Sequence, residues 1–448
     1  MNALPLHEIA MMCGGEPPTC GGERIARRLS KDTRTISAGE LYIALGGERF
    51  DGNAFAAEAA ARGAVAAILD RPPEGLPEDF PVIRVEDSLA ALHRLATSWR
   101  DRLAIKAVAI TGSNGKTSVK DFTAAVLGVR YLTIKTEGNL NNQIGLPLSI
   151  LAARVQDEAA VWEMGTSHPG EIAPLAALAR PNVGIITHIG MAHMEYFGSR
   201  EAIAAEKAGL LEALRAEATA VIPAQDDFAD FLAARTRARV VRVGGANSSI
   251  RAENMEISAE GTRFDLMAEG ARVPVRLSIP GAHMVGNALL AVAAGLACGV
   301  SAEECAEGLS EAVLTRGRLT KKVIRGITFL DDTYNANPDS MVAALRVLEA
   351  IPCQGRRIAV LGRMGELGLH AEDGYRRVGA AGGCDILLTV GSETTALADA
   401  ARATIPQVLA VENNEEASVR LRALAHPGDR VLIKGSRSAV METILNTF

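Results

Sequence analysis

Short apolar runs rich in β-branched residues alternate along this chain with longer stretches rich in alanine and leucine. In the middle of the chain, the runs at residues 108–110 and 183–187 predict buried strands, and the stretches between them predict helices. The alternation returns near the carboxyl terminus, with candidate strands at residues 327–330, 357–361, 386–390 and 430–433. Because alternating strands and helices are typical of a parallel sheet covered by helices, the pattern predicts an α/β protein.

The length of the chain divides this pattern into blocks. A chain of 448 residues is too long for one hydrophobic core, and a usual domain size of roughly 100 to 200 residues suggests about three domains. Residues 1–103 contain short elements and turn signals such as Gly46-Gly47 and Asp51-Gly52. We expect a small amino-terminal α/β domain at 1–103, a central parallel-sheet domain at 104–316 and a carboxyl-terminal Rossmann-like domain at 317–448.

Charge and cysteine usage exclude several classes of protein. The net charge of -6 gives no electrostatic case for nucleic acid or an anionic membrane as the main partner. The amino terminus does not resemble a signal peptide, and the longest apolar stretch, 288–300, is shorter than the ~20 residues that span a bilayer. We therefore expect a cytoplasmic protein, and separately we expect a monomer. The cysteines lack metal-binding spacing and are expected to be reduced core thiols: Cys13, Cys20, Cys298, Cys305, Cys353 and Cys384.

A glycine-containing segment follows the strand predicted at 107–110: Thr111-Gly112-Ser113-Asn114-Gly115-Lys116-Thr117. A helix predicted to begin near Lys116 directs its N-terminus and several backbone N–H groups at one point, which attracts phosphate. In such loops the glycines let the backbone approach the anion, Lys116 reaches the β- and γ-phosphates, and the Thr117 hydroxyl ligates Mg²⁺. The spacing is shorter than G-x-x-x-x-G-K-[ST], and an ordinary strand-to-helix turn is the alternative. The segment predicts a central domain that binds ATP and Mg²⁺.

Two further strands end in side chains suited to a metal. Glu163 follows the strand at 160–162, at the carboxyl edge where open α/β sheets bind ligands, although a solvated strand-end acid is the alternative. The segment after residues 183–187 carries His188, His193 and Glu195 to the same edge. His193 is a candidate metal ligand, and a structural histidine is the alternative.

Lys207 stands among apolar residues on a predicted helix for which Ser199 is the candidate N-cap. Helical spacing places it on one face with Ile203, Leu210, Leu211 and Leu214. A lysine on a buried face is costly unless it is paired or modified. Extension of its ammonium group to solvent is the alternative explanation.

These segments together resemble the Mur ligase family, the ATP-dependent amide-forming enzymes of bacterial peptidoglycan precursor synthesis, over nearly the whole chain. The loop at 111–117 is similar to the TGSNGKT signature of that family. The resemblance implies that Thr117, Glu163 and His193 ligate Mg²⁺ and that Lys207 is carbamylated, with Lys116, Lys207 and His193 as catalytic residues. It also implies an ATP site made of the following residues: Gly112, Ser113, Asn114, Gly115, Lys116, Thr117, Asn287, Arg318, Asp332 and Asn335, with Asp332 on the ribose.

Several motifs resemble the branch of the family that adds D-alanyl-D-alanine. They lie at residues 163–165, 192–199, 331–338, 364–368 and 434–437, and the segment at 331–338 matches DDxYNANP. The Asp-Asn-Pro-Arg tetrapeptide expected of the diaminopimelate-adding branch does not occur in the sequence. Three residues depart from the family pattern: Arg363 replaces an expected aspartate, and Met284 and His188 replace asparagines.

The amino-terminal block is similar to the segment that holds the uridine nucleotide sugar in this family. The match lies at Asp32-Thr33-Arg34 and residues 41–47, and residues 137–145 resemble the substrate-facing loop of the central domain. A diphosphate partner suits Arg34, although a surface arginine beside a turn is the alternative. The resemblance assigns UDP-substrate contacts to the following residues: Ser30, Asp32, Arg34, Gly47, Asn139, Asn141 and Asn142.

The resemblance implies an ADP-forming ligase that joins D-alanyl-D-alanine to UDP-N-acetylmuramoyl-tripeptide through an acyl phosphate. A folylpolyglutamate synthase is the nearest rival, and the Asp32-Thr33-Arg34 segment argues against it. A regulatory GTPase is a rival of another class, but the sequence has no Asn-Lys-x-Asp motif for reading guanine. A phosphotransferase, whose product keeps the phosphoryl group, is the third alternative.

Overall fold

The computed structural model describes residues 1–47, 50–71 and 75–448. The strands are, in chain order, β1 (Leu4–Pro5), β2 (Ile25–Ala26), β3 (Leu29–Ser30), β4 (Leu41–Ile43), β5 (Gly46–Gly47), β6 (Phe50–Asp51), β7 (Ala66–Leu69), β8 (Val82–Arg84), β9 (Lys106–Thr111), β10 (Thr133–Lys135), β11 (Ala159–Glu163), β12 (Val183–Ile186), β13 (Thr219–Pro223), β14 (Arg239–Val243), β15 (Arg251–Ser258), β16 (Gly261–Ala268), β17 (Ala271–Leu277), β18 (Thr320–Ile324), β19 (Ile327–Asp332), β20 (Arg357–Leu361), β21 (Ile386–Val390), β22 (Gln407–Val411) and β23 (Arg430–Lys434).

The α-helices are α1 (Leu6–Cys13), α2 (Ala56–Ala61), α3 (Ser88–Asp101), α4 (Lys116–Gly128), α5 (Gly145–Ala152), α6 (Ile172–Ala179), α7 (Met194–Phe197), α8 (Arg200–Glu212), α9 (Ala229–Ala234), α10 (Ala282–Ala297), α11 (Ala302–Glu311), α12 (Pro338–Ala350), α13 (Ala371–Ala380), α14 (Thr395–Ala401), α15 (Asn414–Leu424) and α16 (Glu442–Leu445). Short 3-10 turns lie at Gly52–Phe55, Gly368–His370, Ser392–Thr394 and Arg437–Ala439.

The chain folds into two compact units, of which the first comprises Met1–Ala109, Tyr131–Gly165 and Ala173–Asn182. This unit holds a parallel sheet in the order β3-β4-β7-β8 and the parallel pair β10-β11. Tyr42 and Leu69 lie in its core together with a group of small alanines. Parallel strands of this kind need helices on their faces, as the alternating pattern of the sequence predicted.

The second unit comprises Ile110–Arg130, Thr166–Ile172 and Val183–Phe448. It contains the parallel strands β12, β13 and β14, and a sheet in the order β18-β19-β23-β20-β21-β22. In the latter sheet, β18 is antiparallel to β19 and the other strands are parallel.

Alternate residues of β20 point to opposite faces of this sheet. Ile358 and Val360 join one buried cluster, whereas Ala359 and Leu361 join the other. Because both faces are covered, the strand reads as a continuous apolar run rather than as an alternation. The predicted α/β class, with a Rossmann-like carboxyl-terminal region, is confirmed. The four strands predicted there correspond to β19, β20, β21 and β23.

The pattern of the sequence missed the antiparallel sheet β15-β16-β17 within the block expected to hold parallel strands. Glu269 and Gly270, with φ of 52° and 79°, form the two-residue turn between β16 and β17. Two positive φ angles are typical of the turns that join antiparallel hairpins. The Glu-Gly pair was therefore the sequence feature that indicated a hairpin turn, and it is a weaker indication than Asn-Gly or Asp-Gly.

The cysteines, all of which fall in the described ranges, form no disulfide, but only part of the expectation of core thiols holds. Cys13, Cys298, Cys305 and Cys384 are buried, whereas Cys20 and Cys353 are partly exposed. The apolar stretch at 288–300 lies mostly in α10 and is largely buried. No helix among residues 1–47, 50–71 and 75–448 is long and apolar enough to cross a membrane.

Candidate active site

The loop predicted to bind phosphate joins β9 to α4, which begins at Lys116. Gly112 and Gly115 have φ of 149° and 83°, which residues with a Cβ rarely adopt. A Cβ on Gly112 would lie 1.9 Å from the hydroxyl oxygen of Thr187, and one on Gly115 would lie 2.7 Å from the amide oxygen of Asn287. This tight backbone cradle at a helix N-terminus fits an anion such as phosphate.

The segment that follows β12 holds the loop in place. The N–H of Ser113 donates to the carbonyl of His188 at 2.7 Å, and the Ser113 hydroxyl accepts from the N–H of Gly190 at 3.0 Å. The ammonium group of Lys116 folds over the loop and donates to the carbonyl of Gly112 at 2.7 Å. The positive charge of Lys116 therefore lies over the cradle, where it would attract the phosphates of a nucleotide.

Lys207 lies on α8, where the hydroxyl of Ser199 caps the first turn by accepting from the N–H of Ala202. The side chain is 1% exposed, so extension of the ammonium group to solvent is excluded. Burial, and then the charge of Lys116, hold the pKa of Lys207 well below its ordinary value, although Glu206 opposes the shift. The predicted buried face is confirmed, since it also carries Ile203, Leu210, Leu211 and Leu214.

His193 precedes α7 and pairs with a residue from the carboxyl-terminal sheet region. Its Nδ1 atom lies 2.6 Å from Oε2 of Glu366. The N–H of Glu195 donates to the carbonyl of Glu366 at 3.2 Å, so the backbone joins the two segments as well. The close approach of His193 lowers the pKa of the Glu366 carboxyl more than burial raises it. An ionised carboxylate that holds one nitrogen of an imidazole is a common arrangement behind a metal-binding histidine.

Arg318 connects the phosphate loop to the segment at 331–338. A guanidinium nitrogen of Arg318 donates to the hydroxyl of Thr117 at 3.2 Å, and the group stacks 4.2 Å from the ring centre of Tyr334. The stacking restricts the guanidinium plane, since a cation is attracted to the face of an aromatic ring. Arg318 thereby presents its charge beside the start of α4.

Asp332, at the end of β19, is engaged on both oxygens. Lys434 donates to Oδ2 at 2.5 Å, and the N–H of Leu319 donates to Oδ1 at 3.2 Å. Lys434 also donates to the carbonyl of Asn335 at 2.9 Å. Burial lowers the pKa of Lys434 despite the opposing effect of Asp332. The amide oxygen of Asn335 accepts from the N–H of Ala336, so the backbone of the next residue positions this side chain.

A cavity of about 600 Å³ brings several of the predicted ATP residues together. It is lined by Asn114, Gly115, Asn287, Arg318 and Asp332, and also by residues without a predicted role, among them His188, Asp226, His283 and Lys434. Lys116, Thr117 and Asn335 are not among its lining residues. Burial lowers the pKa of His283 to about 4, with Lys434 acting in the same direction and Asp332 opposing.

Further residues without a predicted role, at and just after the end of the 331–338 segment, tie this part of the chain to the loop region. The side-chain amide of Asn337 donates to the amide oxygen of Asn114 at 2.7 Å. Asp339 accepts from the N–H of Met191 at 2.8 Å and pairs with Arg377 at 2.7 Å. Asn337 and Pro338 belong to the NANP part of the motif at 331–338, so the motif indicated that they lie near the site. The residues that Asn337 and Asp339 contact could not be predicted from the sequence.

In the first unit, three of the residues predicted to contact the UDP substrate lie together. Arg34 donates to both carboxylate oxygens of Asp32, at 2.9 and 2.6 Å, and these bonds lower the Asp32 pKa to about 2. The Ser30 hydroxyl accepts from the N–H of Asp32 at 3.4 Å. Gly47 lies apart from them in sequence, in the β5-β6 pair, where a Cβ would lie 2.9 Å from the ring of Phe50.

The first unit also contains Glu163 and the asparagines at 139–142. The amide of Asn141 donates to Oε1 of Glu163 at 2.9 Å, and Glu163 is buried at the end of β11. Asn142 accepts from the N–H of Gly145, the first residue of α5, at 2.9 Å. Asn139 contributes its carbonyl to the N–H of Asn141. In the described ranges, no group of three or more His, Cys, Asp or Glu side chains is arranged as a metal site.

A second cavity, of about 410 Å³, lies at the carboxyl ends of β20, β21 and β22. Its lining includes Arg363, Glu393, Glu412, Asn413, Asn414 and Glu415. Arg363 and Glu393 approach to 3.7 Å and are both about half exposed. Ligands of open α/β sheets bind outside the carboxyl ends of the strands, so this cavity is a second candidate site.

Comparison with known proteins agrees with this geometry along the chain. Profiles described as "Mur ligase family, catalytic domain", "Mur ligase middle domain" and "Mur ligase, glutamate ligase domain" match residues 27–100, 110–295 and 316–437. The UDP-N-acetylmuramoyl-tripeptide–D-alanyl-D-alanine ligase of Escherichia coli (strain K12) is 35% identical over 99% of this chain and 98% of its own length.

Solved structures resemble the whole chain as well. A crystal structure of MurF from Acinetobacter baumannii superposes with a TM-score of 0.90 at 32% identity, covering 100% of this chain and 98% of that one. MurF ligase from Thermotoga maritima, in complex with ADP, has a TM-score of 0.84 at 27% identity, covering 94% and 97%. Because the family profiles match along its length and a full-length relative is 35% identical, the chain belongs to the Mur ligase family.

Proposed function

We propose that this protein joins D-alanyl-D-alanine to UDP-N-acetylmuramoyl-tripeptide, with conversion of ATP to ADP and phosphate, in the synthesis of peptidoglycan precursors. The observation that carries this proposal is the full-length similarity, at 35% identity, to a relative named for that reaction. The terminal carboxylate of the tripeptide would take the γ-phosphoryl group from ATP, forming an acyl phosphate and releasing ADP. The dipeptide amine would then attack the acyl carbon, forming the amide and releasing phosphate.

Lys116 and the loop at 112–117 would hold the phosphates of ATP. The cradle that a Cβ on Gly112 or Gly115 would fill supports this role, because only backbone fits there. Arg318 would add a second positive charge beside Thr117. Two anions must meet for phosphoryl transfer, so neutralisation of charge is the main demand on these side chains.

Thr117 and His193, in the second unit, would provide ligands for Mg²⁺, and Glu163, in the first unit, stays a predicted ligand. Magnesium, when bound, neutralises phosphate charge and orients the transferred group. The pairing of His193 with Glu366 supports the assignment, since such a carboxylate fixes the orientation of a metal-binding imidazole.

Lys207 would be carbamylated. Carbon dioxide reacts with a neutral amine, and the lowered pKa of Lys207 increases the neutral fraction at ordinary pH. The product carries a negative charge, which replaces a buried cation beside Lys116 with a group that attracts it. The unfavourable proximity of two cations would thereby become an attraction.

The remaining predicted residues divide between the nucleoside and the UDP substrate. Asp332 would hold the ATP ribose, supported by the place of Asp332 and Asn287 in the 600 Å³ cavity. Arg34 would pair with the diphosphate of the UDP substrate, near Asp32 and Ser30, and Gly47 with the asparagines at 139, 141 and 142 would complete the contacts. The 410 Å³ cavity beside Arg363 would accept the dipeptide, with the arginine on its carboxylate.

We retain 1–103, 104–316 and 317–448 as the proposed domains, and a cytoplasmic monomer as the proposed state. The ranges matched by the family profiles support these boundaries, since each of them starts or ends close to one.

The decisive experiment measures ADP release with UDP-N-acetylmuramoyl-tripeptide, with and without D-alanyl-D-alanine, and identifies the product by mass spectrometry. We expect an amide and free phosphate only when both acceptors are present. A product that keeps the phosphoryl group would indicate a phosphotransferase instead. Lys116→Ala should abolish ADP formation, whereas Lys321→Ala, which removes a surface lysine paired with Glu260, should retain it.

A further inference from the structure

His188 and Asp226 form a polar pair in the wall of the 600 Å³ cavity. His188 Nδ1 lies 2.9 Å from Oδ2 of Asp226. The Asp226 side chain is fully buried, whereas that of His188 is 42% exposed. Asp226 also accepts from the N–H groups of Ile189 and Phe228, at 2.9 and 3.0 Å. The carboxylate is therefore held rigidly and ionised, and burial is outweighed by these bonds in lowering its pKa.

This pair fixes the hydrogen-bonding character of the other ring nitrogen. An ionised carboxylate only accepts hydrogen bonds, so Nδ1 of His188 must carry the proton that it donates. In a neutral imidazole, Nε2 is then an acceptor. The 42% exposure of the side chain leaves His188 open to a ligand in the cavity.

The His188–Asp226 pair lies where the base of a bound nucleotide, rather than its phosphates, is expected. Thr111, at the end of the strand that leads into the phosphate loop, bonds to Thr187, and β12 pairs with β13. The backbone carbonyl of His188 accepts from the N–H of Ser113 in the loop, whereas its side chain reaches from the end of β12 to Asp226, just beyond β13, and thus away from the loop. The ring therefore lies between one and two strand spacings, about 5 to 10 Å, from the strand that leads into the loop. The ribose and α-phosphate of a nucleotide bridge a gap of this size.

Other parts of the same cavity suit the faces of a purine ring. Met255 and Leu289 offer apolar surface for the ring faces. The side-chain amide of Asn287 donates to the sulfur of Met284 at 3.7 Å. Met284 itself has no amide group. A thioether is a weak acceptor and cannot donate. The histidine thus provides an oriented acceptor that residue 284 lacks.

We propose that His188, oriented by Asp226, selects adenine by accepting a hydrogen bond from its exocyclic amino group at Nε2. Guanine and hypoxanthine carry a carbonyl oxygen at that position, and two acceptors cannot share a hydrogen bond. His188 is then a specificity-determining residue and Asp226 its positioning residue. The inference rests on the proposed use of ATP but is independent of the identity of the acceptor substrates.

The test is the binding of three nucleotides to the full chain, measured by calorimetry with Mg²⁺ and without acceptor substrates. The probes are ATP, purine riboside triphosphate, which lacks the amino group, and inosine triphosphate, which replaces it with a carbonyl. All three titrations are made near pH 8. We expect ATP to bind about fivefold more tightly than purine riboside triphosphate, as for one neutral hydrogen bond, and inosine triphosphate to bind most weakly.

His188→Ala should bring the ratio between ATP and purine riboside triphosphate close to one. His188→Asn, whose amide can either donate or accept, should reduce the discrimination against inosine triphosphate. His7→Ala is the matched control, because His7 also stands beside a carboxylate, that of Glu23, but on the surface. It should leave all three affinities unchanged, and thermal melts should show each variant folded.

Unchanged ratios in His188→Ala, or an equal loss of affinity for all three nucleotides, would overturn the proposal and leave a structural role for the pair. The ligase assay distinguishes the two hypotheses. Selective binding of ATP without any amide product would contradict the proposed function but not this inference. Amide formation together with unchanged affinity ratios in His188→Ala would contradict this inference but not the proposed function.

Discussion

The imidazole of His193 and the carboxylate of Glu366 lie 2.6 Å apart, and both residues have a φ of 60°. A non-glycine residue in this left-handed region carries strain of about 1 to 3 kcal/mol, which the surrounding structure must offset. Two such residues in direct contact, on segments far apart in sequence, indicate that the pairing is maintained by the fold. The sequence predicted His193 as a metal ligand but contained no sign of this partner.

Glu366→Gln tests whether the carboxylate supports metal binding by His193. We expect activity at limiting Mg²⁺ to fall by about 10- to 100-fold, because the amide orients the imidazole less firmly. Raised Mg²⁺ should restore part of the loss. The measurement is the initial rate of ADP release across a Mg²⁺ series, with Glu372→Gln as the control for a surface glutamate paired with an arginine. An unchanged Mg²⁺ dependence in the variant would contradict the assignment.

Lys207→Ala tests the carbamate. We expect a loss of activity of about 100-fold or more, as when one preorganised charge is removed, with partial recovery on addition of short-chain acids in bicarbonate-free buffer. The assay is ADP release with and without the added acid. Full activity of the variant in bicarbonate-free buffer would remove the basis for a modified lysine.

The buried charge of Lys207 also predicts an effect on stability. Its pKa is lowered in the folded state, so the unfolded chain takes up a proton at any pH below the ordinary lysine value. Lys207 therefore destabilises the fold at neutral pH, and the penalty fades as pH rises towards that value. In CO₂-free buffer near pH 8, Lys207→Met should melt higher than the wild type by roughly 2 to 5 °C. Differential scanning calorimetry would measure this, and a lower melting temperature of the variant would argue against an unmodified lysine with a lowered pKa at this position.

Gly112→Ala tests the phosphate cradle. The new Cβ would lie 1.9 Å from the Thr187 hydroxyl at a φ of 149°, so the loop must shift. We expect nucleotide affinity to fall by at least about tenfold while the chain remains folded, since strain of about 1 to 3 kcal/mol is small beside a typical unfolding free energy. Gly128→Ala is the matched control, because among residues 1–47, 50–71 and 75–448 no other group lies within 4 Å of the point that its Cβ would occupy. Equal ADP affinity in both variants, measured by calorimetry, would contradict the cradle.

Arg363→Ala tests the second cavity as the dipeptide site. Loss of a charge-assisted hydrogen bond to the carboxylate should raise the KM for D-alanyl-D-alanine about tenfold or more, with less effect on kcat. The control is Arg376→Ala, which breaks the surface pair with Glu372. A KM that is unchanged for the dipeptide would place its carboxylate elsewhere.

The α/β class and the phosphate loop could be predicted because they depend on local features. Burial on both faces makes β12 and β20 continuous apolar runs. The residues that start α4 lie directly before it, at Gly115, so the loop and the helix could be predicted together. The sheet β15-β16-β17 was missed because its Glu-Gly turn is a weak signal. The buried position of Lys207 was predictable from helical spacing alone, since the helix places Ile203 and Leu210 on the same face.

Partners distant in sequence were beyond local pattern. Nothing near Asp226 indicates that its carboxylate orients His188, and nothing near Lys434 indicates that it engages Asp332. Motif and periodicity determined the class of fold, the loop at 112–117 and the residue types of the site, because backbone geometry and helical spacing are set within a few residues. The pairs His193–Glu366, His188–Asp226 and Asp332–Lys434 were decided by tertiary structure, because only packing of separate strands and loops brings such charges within bonding distance.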